Sequence, residues 1–238
     1  MIKAPIHKII PHSLVDGPGN RTSIFLQGCN LRCEYCHNPE TIQIYTEKSL
    51  EKINWMTADE VFNEVKRNIP FIRGITLSGG ECTIYPKFLH ELFTLGQRVG
   101  LSCLIDSNGT TDLSKYPELM EVTSGVLLDV KAWDAEKFKK LTGGNNKIVK
   151  KNLKFLADTN KLEEIRIVCI PDEVDTEHIL KGIKATIGDK ISDTNLRLIK
   201  FRNNGVIGRL KNTSSPSDTY MQVLKDMALN MGYKFTGN

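Results

Sequence analysis

Ser23-Ile24-Phe25-Leu26-Gln27-Gly28-Cys29-Asn30-Leu31-Arg32-Cys33-Glu34-Tyr35-Cys36-His37-Asn38-Pro39 joins an apolar run to a loop with cysteines at C-x3-C-x2-C spacing. The run predicts a strand over residues 22–27, and such a strand delivers three thiolates to the mouth of a sheet. A closed structural metal site takes four protein ligands, whereas three thiolates leave one position open. The spacing therefore points to an iron–sulfur cluster with one iron free for a substrate.

Working outward, strand-like and helix-like segments alternate. Thr57-Ala58-Asp59-Glu60 is a capping box that opens a helix to about residue 68, with Val61, Phe62 and Val65 on one face. Further strands are predicted over 74–77, 101–105, 126–130, 164–170 and 196–201. Helices are predicted over 87–99, 135–141, 148–159, 176–187 and 218–230, with a short last strand at 233–235. Strands alternating with helices imply βα units and a parallel sheet. Six such units are too few for a closed eight-stranded barrel. The expected fold is an α/β, incomplete (β/α)6 TIM-like barrel of parallel strands with outer helices, in one domain spanning residues 1–238. A doubly wound open sheet shares the same pattern.

The unusual residues fall at the ends of these strands. The cysteine loop follows the first and Ser78-Gly79-Gly80-Glu81 the second. Asp106-Ser107-Asn108-Gly109 follows the third, Asp129-Val130-Lys131 the fourth, Pro171-Asp172 the fifth and Lys200-Phe201-Arg202-Asn203 the sixth. Parallel α/β folds build their sites at the carboxyl ends of strands, so these groups share one rim.

With 40% apolar and 25% charged residues, the chain reads as an ordinary globular protein. A net charge of +4 does not argue for nucleic acid or an acidic membrane surface. Residues 1–7 lack the apolar core of a signal peptide, and no apolar stretch is long enough to span a bilayer. A cytoplasmic location is expected, and there six cysteines are not a disulfide framework. Cys103 and Cys169 lie in predicted strands as buried small residues. Cys82, directly after Glu81, is open between a core residue and one near the cysteine loop. The Lys-rich stretch 137–154 reads as a solvated helical surface.

Cys33-Glu34-Tyr35-Cys36-His37 also matches C-x-x-C-H, the covalent haem pattern, but that reading leaves Cys29 without a role and needs export. Zinc held by Cys29, Cys33, Cys36 and His37 has the right ligand number, yet Cys36 and His37 are adjacent, unlike the separated ligands of zinc modules. A dithiol of Cys33 and Cys36 again ignores Cys29. The iron–sulfur reading leads.

The loop, with an aromatic residue before its third cysteine, resembles the radical S-adenosylmethionine signature. Gly79-Gly80-Glu81 at the end of strand two resembles that superfamily's glycine-rich motif. Asp16-Gly17-Pro18-Gly19, Gln27-Gly28-Cys29 and Cys36-His37-Asn38-Pro39 narrow the likeness to activating enzymes of glycyl radical enzymes, the group containing pyruvate formate-lyase activase. The likeness runs from about residue 9 to residue 201.

The resemblance implies that Cys29, Cys33 and Cys36 bind a 4Fe–4S cluster and that S-adenosylmethionine chelates its fourth iron. Tyr35 would lie beside the adenine, and the backbone of Ser78, Gly79, Gly80 and Glu81 would meet the methionine amino group. Asp106, Ser107, Asn108, Asp129 and Lys131 match strand ends where carboxylates and carbonyls hold a monovalent cation beside the cosubstrate carboxylate. Asp16 and Arg166 match residues that meet the partner's glycine-bearing loop. From its own strand, Arg166 reads equally as an inward charge with a partner or as a solvated side chain. Arg202 stands where the pyruvate formate-lyase branch carries a cosubstrate-contacting histidine, so that role passes to Arg202 or Asn203 or is lost. This segment looks more like the YjjW-type branch. No cysteine lies between His37 and Glu81, so the ferredoxin-like insert of some activases is absent.

The resemblance further implies a glycyl radical enzyme as protein substrate, a flavodoxin or ferredoxin-type donor, anaerobic chemistry and a monomer; the mild charge and the lack of a long apolar stretch add the expectation of no nucleic-acid or membrane partner. Two other classes share some of these features. One is a radical enzyme acting on a small molecule, of the 7-carboxy-7-deazaguanine synthase kind. The other is a non-enzymatic iron–sulfur electron-transfer protein, in which Gly-Gly-Glu and the strand-end aspartates would have no task.

Overall fold

The structure is a computed structural model and describes residues 2–49 and 53–235. The chain divides into two compact units. Met1–Asn30, Glu40–Ser107 and Leu113–Val126 form the first; Leu31–Pro39, Asn108–Asp112 and Leu127–Asn238 form the second.

In the first unit, β1 (Lys3–Ser13) pairs antiparallel with β2 (Arg21–Leu26) and with β3 (Asn54–Thr57). Helix α1 (Ala58–Lys66) follows and leads into β4 (Gly74–Gly79). Helix α2 (Pro86–Arg98) leads into β5 (Ser102–Ser107), and β2, β4 and β5 run parallel. The capping box forms as expected. Thr57 Oγ1 accepts the Glu60 amide at 3.2 Å, and the Glu60 carboxylate accepts the Thr57 amide at 2.7 Å. Val61, Phe62 and Val65 of α1 and Leu89, Leu92 and Phe93 of α2 are buried. Each such side chain contributes roughly 1.5–3 kcal/mol when removed from water. The short α3 (Pro117–Val122) completes the unit.

β6 (Gly125–Asp129) passes into the second unit, which continues with α4 (Ala135–Thr142), α5 (Lys147–Asp158) and β7 (Leu162–Cys169). Helix α6 (Thr176–Ile187), β8 (Asn195–Lys200), α7 (Asp218–Asn230) and β9 (Lys234–Phe235) follow. β7, β8 and β9 are parallel. The strand order is β3-β1-β2-β4-β5-β6-β7-β8-β9, an unclosed row. No helix among the described residues is long and apolar enough to cross a membrane.

The mostly parallel, unclosed α/β sheet matches expectation, and the predicted strands and helices agree to within a few residues. The all-parallel expectation needs one correction, because β1 and β3 add an antiparallel margin. Pro5 and Pro11 interrupt β1, and a proline within a run argues for an edge or no strand. Here β1 pairs on both sides: Pro5 faces Trp55 of β3, and the Pro11 carbonyl accepts from Thr22 Oγ1 at 2.9 Å.

One fully buried charge organises the start of the parallel strands. Arg21 is 0% exposed. Its Nε donates to Thr76 Oγ1 at 2.7 Å, and its Nη2 donates to the carbonyls of Ile75 at 2.7 Å and Ser102 at 2.8 Å. Nη1 reaches the Pro18 carbonyl at 3.2 Å. The guanidinium thus ties the Asp16–Gly19 turn to β4 and β5. Arg21→Met removes the donors and strands buried acceptors, so it is expected to lower stability by about 3 kcal/mol. Chemical denaturation measures this directly, and a loss under about 1 kcal/mol would contradict the assigned role.

Candidate functional site

In the first unit, the approach to the cysteine loop is pinned by backbone hydrogen bonds. Gly28 and Cys29 donate their amides to the carbonyls of Thr41 and Ile42 at 2.8 and 3.0 Å. The buried Gln27 side chain donates to the carbonyls of Glu40 and Gln43, both at 2.9 Å. Tyr85 Oη donates to the Gln27 carbonyl at 2.9 Å.

The end of β4 lies directly against this segment. The Gly80 amide donates to Leu26 at 3.0 Å and the Glu81 amide to Gly28 at 2.8 Å. A Cβ on Gly79, whose φ is +121°, would lie 2.2 Å from the Leu26 carbonyl oxygen. One on Gly80 would lie 2.3 Å from that of Gly28. The glycine pair is required by backbone meeting backbone, a stronger demand than an ordinary turn makes.

Glu81 is 1% exposed, and its carboxylate accepts from the Thr83 amide at 3.1 Å, Thr83 Oγ1 at 2.5 Å and Ser107 Oγ at 2.9 Å. Ser78 Oγ donates to Asp106 Oδ2 at 2.9 Å. The ends of β4 and β5 are therefore joined by two hydroxyl–carboxylate bonds. Cys82 is buried, and its thiol points to the carbonyls of Leu77 and Asp106. Burial first, then the nearby Glu81 and Asp106 charges, push it well above the usual thiol range. Cys82 is a neutral structural thiol.

Asp16 stands apart from these groups. Its carboxylate accepts from Ser13 and Ser23 hydroxyls, both at 2.6 Å, and its carbonyl from Thr76 Oγ1 at 2.7 Å.

In the second unit, the rest of the cysteine loop docks on the end of α4. Arg32 and Glu34 donate their amides to the carbonyls of Thr142 and Leu141, at 2.8 and 2.9 Å. Those carbonyls belong to the last turn of α4, whose acceptors find no donor within the helix. Cys36 donates its amide to the Cys33 carbonyl at 3.1 Å, closing the turn that carries both thiols. The Cys29, Cys33 and Cys36 side chains are partly exposed, unlike the buried Cys82, Cys103 and Cys169.

Lys131 forms an ion pair with Asp129 at 2.8 Å, and its ammonium lies 5.7 Å from the centroid of the buried Tyr35 ring. Burial works against the Lys131 charge, but Asp129, Tyr35 and Cys33 outweigh it and hold the group well above its usual range. Burial raises the Cys33 thiol, Lys131 opposes that rise, and Cys36 and Asp129 add to it. A fixed cation beside Cys33 favours thiolate and any anionic group bound there.

Asn108 accepts from the amide and hydroxyl of Thr110 at 3.0 and 2.6 Å, an Asx turn. Arg166 is 7% exposed and pairs through Nε with Glu164 at 2.7 Å, so of its two readings the inward, paired one holds. Arg202 is exposed in the segment after β8. Gln27 and Glu164 carry weight that the sequence reading did not assign. Glu164 has a legible signal, because alternate residues of a strand share a face.

Among the described residues, no three His, Cys, Asp or Glu side chains converge as they would around a single ion. Three thiolates of a cubane each hold a different iron, so a cluster does not ask for that convergence. Partly exposed thiols suit such a group in each unit: Cys29 beside the pinned glycine backbone in the first, Cys33 and Cys36 with Lys131 in the second.

An unclosed, mostly parallel sheet with a three-cysteine loop after its first parallel strand defines an α/β enzyme class that works through a metal cluster. Residues 23–181 match the radical SAM superfamily model. The chain is 37% identical over 226 residues to the putative glycyl-radical enzyme activating enzyme of Haemophilus influenzae, covering 86% of this chain and 84% of that one. It is 32% identical over 210 residues to the pyruvate formate-lyase-activating enzyme of Clostridium pasteurianum, covering 87% and 85%. The crystal structure of QueE from Escherichia coli aligns with a TM-score of 0.64 at 16% identity, covering 99% and 93%; that likeness shows the fold. The chain belongs to the radical SAM superfamily, a family that works with a 4Fe–4S cluster and S-adenosylmethionine.

Gly80→Ala places a Cβ inside the contact distance of the Gly28 carbonyl. It is expected to cost about 2 kcal/mol or more in stability. It should also weaken S-adenosylmethionine binding at least about tenfold, since a displacement on the order of 1 Å is that costly in a positioned site. Equilibrium binding and thermal unfolding read the two effects.

Proposed function

We propose that the chain is an activating enzyme for a glycyl radical enzyme. The observation that carries this is identity to activating enzymes across most of both chains. The pyruvate formate-lyase-activating enzymes of several other bacteria, among them Staphylococcus epidermidis at 34% identity over 236 residues, support the same reading.

Bound in the loop, a reduced 4Fe–4S cluster would supply one electron to the sulfonium of S-adenosylmethionine, whose S–C bond would break to methionine and a 5′-deoxyadenosyl radical able to take a glycine Cα hydrogen. Cys29, Cys33 and Cys36 are its ligands, with the fourth iron left to the cosubstrate. Tyr35 flanks the adenine. The backbone of Ser78, Gly79, Gly80 and Glu81 receives the methionine amino group. Asp106, Ser107, Asn108, Asp129 and Lys131 hold the cosubstrate and a monovalent cation beside its carboxylate. Oxygen ligands of this kind match a hard cation. Asp16 and Arg166 orient the partner's glycine loop, and Arg202 takes the place of the cosubstrate-contacting histidine. The chain acts as a single catalytic domain and a monomer in the cytoplasm, reduced by a flavodoxin or ferredoxin-type donor.

After anaerobic reconstitution, about four irons per chain are expected. Cys29→Ala, Cys33→Ala and Cys36→Ala should each reduce cosubstrate cleavage by about a hundredfold or more, beyond the loss typical of removing a residue behind the ligands. Mixing with a candidate glycyl radical enzyme should give a glycyl doublet in electron paramagnetic resonance. Cleavage surviving any one cysteine change would overturn the ligand assignment. Cleavage with consumption of a small molecule and no doublet would overturn the activase reading.

A further inference from the structure

The segment after β8 crosses the second half of the cysteine loop. The Phe201 ring meets the His37 imidazole edge-on, with centroids 6.2 Å apart. Gly205, at φ +82°, approaches so closely that a Cβ would lie 2.6 Å from the His37 carbonyl oxygen. A Cβ on Gly208 would lie 3.0 Å from Glu34 Oε2 and 3.1 Å from the Glu34 carbonyl oxygen. The Arg209 amide donates to Glu34 Oε2 at 3.0 Å.

The far end of this segment is anchored. Arg209 Nη1 and Nη2 donate to Glu173 Oε1 and Oε2 at 2.5 and 2.8 Å, a two-point ion pair. Glu173 sits on the turn after β7, where its amide donates to the Ile170 carbonyl at 3.2 Å. The bond to Arg209 holds the Glu173 carboxyl below its ordinary range and, reciprocally, raises Arg209. A planar guanidinium gripping both carboxylate oxygens restricts orientation as well as distance. Glu34 is thus held from two sides. Its amide binds the last turn of α4, and its carboxylate binds the strap.

We propose that residues 201–212 form a strap, latched by Arg209 and Glu173, that holds Glu34–Asn38 in place and so fixes the positions of Cys33 and Cys36. Glu34, Arg209 and Glu173 are positioning residues for the two thiolates. The idea rests on the reading that these cysteines are cluster ligands, but its first test does not.

That test is hydrogen–deuterium exchange on the full-length protein without cluster. Arg209→Ala should speed exchange of the Glu34 and Cys36 amides about fivefold while leaving the β7 amides unchanged, as loss of a local latch does. Gly205→Ala should act in the same direction. The double change Arg209→Glu with Glu173→Arg should return exchange to within about twofold of the parent, whereas either charge reversal alone should not. In the reconstituted protein, iron release to a chelator should follow the same order, again about fivefold faster in Arg209→Ala. Exchange within about twofold of the parent in both Arg209→Ala and Gly205→Ala would overturn the strap. A parent that takes up no iron would overturn the cluster reading and leave the exchange result to judge the strap.

Discussion

The backbone of Gly79-Gly80-Glu81 lies against the backbone of Leu26-Gln27-Gly28, and the site depends on that approach. Two amide–carbonyl bonds hold the segments together, and neither glycine has room for a Cβ. Because the second segment runs straight into Cys29, the placement of the first thiolate and of the strand-end backbone is one structural fact. Gln27 and Tyr85 reinforce it from the other side, through the carbonyls of Glu40 and Gln43 and through Gln27's own carbonyl. Substitution at either glycine displaces the start of the cysteine loop, where an ordinary turn glycine would only relax.

Charge is placed with equal economy. In the first unit the carboxylates of Glu81 and Asp106 are met by the hydroxyls of Ser107 and Ser78. Hydroxyls orient carboxylates without neutralising them. In the second unit the charge beside the Tyr35 ring is a cation, Lys131, paired with Asp129 at 2.8 Å against the cost of burial.

Much of the fold was legible because local physics and the fold agree. Val61, Phe62 and Val65 repeat at helical spacing, the Thr57–Glu60 box caps that helix, and short, mainly apolar runs bounded by turn residues became β4 to β8. Where local rules conflicted with tertiary demands, the reading failed. Two prolines concealed β1, and four residues were too few to announce β3. Arg21, just before the strand predicted over 22–27, drew no reading at all, yet it is fully buried, with carbonyls of Pro18, Ile75 and Ser102 converging on it. Arg166 had two equal readings until burial and Glu164 separated them.

The covalent spacing alone determined what chemistry the chain can hold. Three cysteines within one short loop have few alternatives, a glycine pair at a strand end marks a close approach, and strand-end aspartates mark a rim. Those are short-range facts, set by residue type and chain geometry. Partnerships are long-range. Ser78 found Asp106, Ser107 found Glu81, and Arg209 reached Glu34 across 175 residues. Such pairings depend on which strand ends and loops the folded chain brings within hydrogen-bond distance, and nothing in the local sequence specifies that distance. The cysteine loop could be read from its own residues, whereas what holds it still could be seen only in three dimensions.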